Sequence, residues 1–223
     1  MDDRHARTRI LAGEEGLRKL QEARVLVMGV GGVGSYAAEA VARAGIGDIT
    51  VMDGDVVAPS NLNRQLVALT STIGRNKAEV MAERIRDIDP DTRVTAFAKF
   101  YRVGDEFDFT SYDWVLDCID DVDAKTEIIQ ICTEKGVNII SAMGAAGKFY
   151  TDFKAADIAE TSTCPLARVM RRRLREIGIE HLPVVYSSEK PVPRTGDLGT
   201  LSYVPGSAGL TLAGYVIRQI AGV

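Results

Sequence analysis

The sequence predicts an α/β protein with a mostly parallel central sheet and helices on both of its faces. Short apolar, β-branched runs recur along the chain, and amphipathic helical patterns separate them. A glycine-rich loop joins the first such run to the first such helix. At 223 residues the chain can bury one large core.

Residues 4 to 22 read as one or two short helices, with Ile10, Leu11, Leu17 and Leu20 near helical spacing. Arg24 to Met28 (RVLVM) is a buried-strand run that ends in glycines. A helical pattern follows from Ser35 to Ala44 and stops at Gly45. Ile49 to Met52 forms a second strand ending at Asp53, which completes a βαβ unit. Residues 55 to 74 are polar and irregular. Lys77 to Asp87 is amphipathic, with Val80, Met81 and Ile85 on one side, and Asp89-Pro90 closes it. Thr92 to Phe97 and Trp114 to Cys118 read as strands, Ala124 to Lys135 as a helix stopped by Gly136, and Val137 to Ile140 as a further strand.

After Gly144 the texture changes. Residues 165 to 177 form one helix, then Pro183, Pro191, Pro193 and Pro205 interrupt the chain before a closing helix at Leu210 to Ile220. This late part is expected to extend the sheet. With no internal repeat and no linker, residues 1–223 read as a single domain. Its nucleotide-binding core spans about 20–145 and a substrate or crossover region about 146–223.

Hydrophobic residues at 46% and charged residues at 26% exclude a disordered chain. A net charge of −4 excludes a generally basic protein, so any nucleic-acid contact must come from a local patch. The polar start and the lack of an apolar run of roughly eighteen residues argue against a signal peptide or membrane span. A cytoplasmic location is the expectation. Cys118, Cys132 and Cys164 are far apart and form no CxxC pair, so no structural zinc is expected.

Gly29-Val30-Gly31-Gly32-Val33-Gly34 places the GxGxxG pattern between a strand and a helix. In such a Rossmann-like turn, Gly29 permits a tight bend, Gly31 and Gly32 let backbone approach a phosphate, and Gly34 allows close helix–strand packing. The helix start offers N–H groups to an anion. Asp53, about twenty residues on, stands where a carboxylate meets ribose hydroxyls.

The polar segment narrows the reading. Asp53-Gly54-Asp55 precedes Ser60-Asn61-Leu62-Asn63-Arg64-Gln65, then Gly74-Arg75-Asn76-Lys77, and a Cys118-Ile119-Asp120 strand end follows. With the early Arg4 and Arg7, these elements resemble the ubiquitin-activating-like family that includes ThiF, MoeB and HesA, whose members adenylate carboxylates. The resemblance implies that Asp53 holds the ribose, with Asp55 beside it. It also implies that Asn61, Arg64, Gln65 and Lys77 surround the phosphates of ATP. Arg7 would act across a homodimer, and Asp120 would hold Mg2+ or the substrate. Cations suit this task because attack on an α-phosphate builds negative charge.

Within that family the chain is similar to the dehydratases that act on threonylcarbamoyladenosine in tRNA. The similarity runs through Ala38–Gly47, Lys77–Ile85, Asp120–Lys125, Val185–Glu189 and Gly199–Gly209. It implies ATP-dependent adenylation of the threonyl carboxylate, then ring closure by the modification's own carbamoyl group. A rival within the family is adenylation of the C-terminus of a ubiquitin-like sulfur carrier, and a sulfur-transfer protein partner belongs with either reading. Cys164, before Pro165, is the one candidate thiol. These dehydratases usually carry Asp-Pro-Leu there, so a structural cysteine is the favoured reading. On the 165–177 helix, Arg168, Arg171, Arg172 and Arg175 share the face opposite the apolar residues, a candidate tRNA phosphate track or an ordinary solvated face. Arg173 falls nearer the apolar side, facing an interface or a ligand.

Overall fold

The computed structural model describes residues 4–192 and 199–223; Met1 to Asp3 and Pro193 lie outside them. The chain opens with helix α1 (Ala6–Glu22), which bends at Gly13, where the sequence led us to expect one or two short helices. Strand β1 (Arg24–Met28), helix α2 (Gly34–Ala44) and strand β2 (Asp48–Met52) form the first βαβ unit. Helix α3 (Lys77–Ile88) and strand β3 (Arg93–Phe97) follow, then β4 (Trp114–Asp117), α4 (Val122–Lys135) and β5 (Asn138–Ala142).

The later region holds β6 (Phe153–Asp157), α5 (Pro165–Glu176), β7 (Pro183–Ser187) and α6 (Tyr203–Ala221). All seven strands form one sheet in the order β3-β2-β1-β4-β5-β7-β6. Every pairing is parallel except β6 with β7, so the expected extension of the sheet is an antiparallel edge. Helix α6 begins seven residues before the expected Leu210. Pro205 sits in its first turn, where a missing N–H breaks no intrahelical bond.

Two apolar layers flank the sheet. Leu20, Val41, Ile49, Met81, Ile85, Leu212 and Val216 pack beneath α1, α2, α3 and α6. Leu26, Val115, Phe109, Ile128, Met170 and Leu174 pack on the other face beneath α4 and α5. Both faces of the sheet are therefore covered, which explains why its central strands read as unbroken apolar runs. Met28 pairs with both Met52 and Asp117. The next residues, Gly29, Asp53 and Cys118, consequently leave the sheet level with one another. At this point the order turns from β1 to β4, the place where a doubly wound sheet opens a crevice.

Candidate active site

That crevice is a cavity of about 680 Å³. Gly29, Gly31 and Gly32 line it, together with Asp53, Asp55, Asn61, Arg64, Gln65, Lys77 and Asp120. Two of the residues expected at the nucleotide site, Gly34 and Arg7, are not among its lining. Gly34 instead holds the loop shut: a Cβ there would lie 1.8 Å from the Gly29 oxygen. Gly29 itself has φ 82°, a conformation that favours glycine. Arg7 is exposed on α1 and, within one chain, contributes nothing to the cavity wall.

Asp53 is the most constrained group. One carboxylate oxygen accepts the Val30 N–H at 2.7 Å, and the other accepts the Asp55 N–H at 2.8 Å. Burial pushes its carboxyl above the usual range, opposed by those two N–H donors and by the charge of Lys77. Across the loop, Asn76 caps α3 by accepting from Ala78 and Glu79, and its amide donates to the carbonyls of Asp53 and Asp55. This cap seats Lys77, a buried first-turn residue whose Nζ lies 2.8 Å from Asp55 Oδ2.

The SNLNRQ segment makes a 3-10 turn at Pro59–Asn61. Asn61 Oδ1 accepts the Ala58 N–H, so this side chain shapes the turn as well as lining the cavity. Arg64 donates to the Ser60 carbonyl at 2.8 Å and to Asn63 Oδ1 at 3.0 Å, which fixes its fork. Gln65 is buried, and its Oε1 has no hydrogen-bond partner among the described residues. A buried amide oxygen without a partner is costly unless something else binds there.

On the opposite wall Asp121 caps α4 through the Asp123 and Ala124 N–H groups. Asp120 remains exposed and makes no hydrogen bond or ion pair among the described residues. Beneath this turn lies a charge pair absent from the sequence reading. Lys125 Nζ sits 2.7 Å from Asp117 Oδ2, both side chains are fully buried, and Ser141 Oγ donates to the same oxygen at 2.6 Å. Cys118 lines the cavity floor, and burial with the Asp117 charge behind it pushes its thiol up to about 12. A thiol raised in this way is a poor nucleophile near neutral pH.

The sequence reading also missed Lys99, Phe100, Tyr101 and Arg102, which line the cavity after β3. Their signal was a cationic and aromatic run directly after a strand, legible only once β3 is known to flank β2. Tyr101 donates to Glu127 Oε2 at 2.8 Å and is anchored by it. Pro205 at the start of α6 also touches the cavity and would stand 3.2 Å from a Cβ on Gly32.

Outside the cavity, Cys164 is buried at the start of α5 against the second core layer. Arg171 departs from the expected solvent stripe. It is half-buried and donates to Thr161 O at 2.8 Å and Thr161 Oγ1 at 2.6 Å, tying α5 to the 3-10 turn at Ile158–Glu160. Arg168, Arg172 and Arg175 remain exposed. Arg173 pairs with Asp123 in the first turn of α4, so it faces a neighbouring helix. The described residues hold no group of three or more His, Cys, Asp or Glu side chains placed to bind a metal, and no helix is long and apolar enough to cross a membrane.

Comparison with known proteins adds three findings. The ThiF family model matches residues 3–223. The chain is 38% identical over 237 residues to the tRNA threonylcarbamoyladenosine dehydratase of Bacillus subtilis, covering 96% of this chain and 93% of that protein. It is 43% identical over 168 residues to the Escherichia coli enzyme of the same name, covering 74% and 63%. Among solved structures, the E. coli tRNA N6-threonylcarbamoyladenosine dehydratase in complex with AMP superposes with a TM-score of 0.93 at 36% identity, covering 99% and 95%. Its complex with ATP also gives 0.93, at 35% identity.

Proposed function

Because the chain belongs to the ThiF family, we propose that it is an ATP-dependent dehydratase of threonylcarbamoyladenosine in tRNA, working through an acyl-adenylate. The observation that carries this reading is the single cavity that combines the glycine loop, Asp53, Arg64, Gln65, Lys77 and Asp120. The relatives that bear this name, and the E. coli structures in complex with AMP and ATP, support it.

In this reading Asp53 accepts the ribose hydroxyls, and Gly31 and Gly32 let the phosphates approach the backbone. Lys77 turns from Asp55 toward the triphosphate, a short rotation for a side chain already in the cavity wall. Arg64 presents its fork from the same side, and Asn61 and Gln65 complete the cradle. The threonyl carboxylate attacks the α-phosphorus and pyrophosphate leaves. The carbamoyl group then attacks the acyl carbon, AMP leaves, and a ring forms with net loss of water. The ring-closing nucleophile belongs to the substrate, so proximity supplies most of the advantage and no thioester is needed.

Asp120 and the exposed rim beside it fit Mg2+, which takes one or two carboxylates together with substrate phosphates and water. When bound, Mg2+ would offset phosphate charge, and Asp120 would hold it. Arg7, which lies outside the cavity of its own chain, completes the site of a second copy in a homodimer. Residues 1–223 act as one adenylating domain, with about 20–145 holding most of the nucleotide and about 146–223 the substrate, while Pro205 closes the nucleotide cavity from the later part. Arg168, Arg172 and Arg175 offer exposed cations to the tRNA backbone, while Arg171 serves the local fold. The site works in the cytoplasm, where ATP and tRNA meet.

The test is incubation with ATP, Mg2+ and tRNA bearing threonylcarbamoyladenosine, followed by nucleoside mass analysis. Loss of one water with release of AMP and pyrophosphate is expected. An unchanged nucleoside beside an active control defeats the reading. Pyrophosphate exchange stimulated only by a ubiquitin-like sulfur carrier would replace it with carrier adenylation, which would bring a sulfur-transfer partner.

A further inference from the structure

The loop between β5 and β6 carries two consecutive aromatic residues that the fold leaves in solvent. Phe149 is 50% exposed and Tyr150 is 70% exposed. Their mount is built. Glu189, just after β7, accepts the Phe149 and Tyr150 N–H groups, each at 2.9 Å. The ammonium of Lys148, a buried residue, bonds the Glu189 carbonyl. Further bonds run from Gly147 N to Gly199 O and from Val192 N to Gly147 O. On the far side, Asp152 accepts from Ser187 at 2.7 Å. The loop is thus tied to the chain on both sides of the two rings.

The same loop begins in the cavity wall. Ala145 and Ala146 line the cavity, and the rings follow within a few residues on the same edge of the sheet. Exposed Lys154 and Lys190 stand on the neighbouring segments. We infer that Phe149 and Tyr150 form a stacking platform for the unpaired bases beside the modified adenosine of an RNA substrate, an inference that rests on the proposed reaction.

The chemistry requires something of this kind. A base whose N6 substituent must reach a phosphorus atom inside a cavity has to leave its stack, and its neighbours lose a partner. Aromatic faces accept any base, which suits a surface that holds the flanking nucleotides rather than reading them. A loop already fixed by Glu189 loses little conformational freedom when it binds. Lys154 and Lys190 supply the cations that a passing phosphate backbone needs.

The test uses a short RNA with threonylcarbamoyladenosine next to 2-aminopurine, and the full-length protein. Wild-type protein should quench the 2-aminopurine on binding. F149L/Y150L should weaken that quench and raise KM for the RNA about ten-fold or more. The KM for ATP, kcat and the sedimentation coefficient should not change. F149Y/Y150F, which keeps both rings, should restore RNA affinity. Wild-type quench and KM in F149L/Y150L would overturn the platform, as would a fall in the self-association of that variant, which would make the rings a contact between copies. Quenching by wild-type protein with no dehydration would leave the platform standing and defeat the reaction.

Discussion

Lys77 and Asp120 line one cavity in different surroundings, yet removing either should slow turnover without weakening the fold. Lys77 is buried and paired with the half-exposed Asp55, which water can solvate when the lysine is removed. Asp120 is exposed and unpaired among the described residues. Lys77→Ala and Asp120→Ala should therefore each lower kcat/KM by about a hundred-fold or more, as the loss of one aimed electrostatic group does. Melting temperatures should stay close to wild type. Turnover near normal in either would show that the role is misassigned. Asp117 and Lys125 lie one turn deeper and make the contrast clear. Removing one partner of that fully buried pair would strand the other charge, so a loss of activity there would report on folding. The sequence could not separate these cases, because a lysine in an amphipathic helix reads as surface whether or not a carboxylate waits beneath it. Arg171 is the converse, a cation on a basic stripe that instead binds Thr161.

Among the elements, β1, α2 and β2 were readable because periodicity, the glycine loop and Gly45 all agree on where each begins and ends. Strands β6 and β7 were not. Phe-Lys-Ala-Ala-Asp at the sheet edge has no strong alternation, and its pairing is set by a distant strand. The start of α6 was hidden because Pro205, Gly206 and Gly209 read as breakers, whereas packing is what uses them. A Cβ on Gly209 would lie 2.2 Å from the Val33 oxygen, so α6 crosses α2 at backbone contact. Gly209→Ala should thus destabilise the protein by about 1–3 kcal/mol through overpacking, although alanine in a helix interior usually helps. Urea unfolding measures this. A midpoint equal to or above wild type would mean that the two helices do not approach so closely. Residues of the cavity were mostly legible because they cluster in two motifs. The Lys99–Arg102 wall was not, since nothing in the chain says that β3 lies beside β2.

Two expectations concern the whole molecule. If Arg7 completes a second copy's site, Arg7→Ala and Lys77→Ala should each be nearly inactive alone. Mixed in equal amounts and allowed to exchange, they should recover about a quarter of wild-type activity, since half the dimers carry one intact site of two. No recovery after demonstrated exchange would mean that Arg7 does not complete the second copy's site. The other expectation concerns alkaline pH. Burial, aided by the Asp117 charge, pushes the Cys132 thiol from 9.0 up to about 12. Below pH 9 the folded and unfolded chains both hold this proton, and its contribution to stability is fully present. Above pH 9 the unfolded chain releases the proton first, so stability falls as pH rises toward 12, by up to about 1.4 kcal/mol per pH unit for this thiol. Denaturation between pH 8 and 10.5 should show a shallower decline in Cys132→Ala than in wild type. Identical slopes would mean that the thiol titrates normally.

The contact between Pro205 and the loop at Gly32 has a consequence for biosynthesis. One wall of the ATP cradle comes from a helix that follows every strand in the chain, so a growing polypeptide can shape its phosphate loop long before that wall arrives. Nucleotide affinity should mature late, after the closing helix has left the ribosome and docked, which would keep half-made copies from occupying ATP.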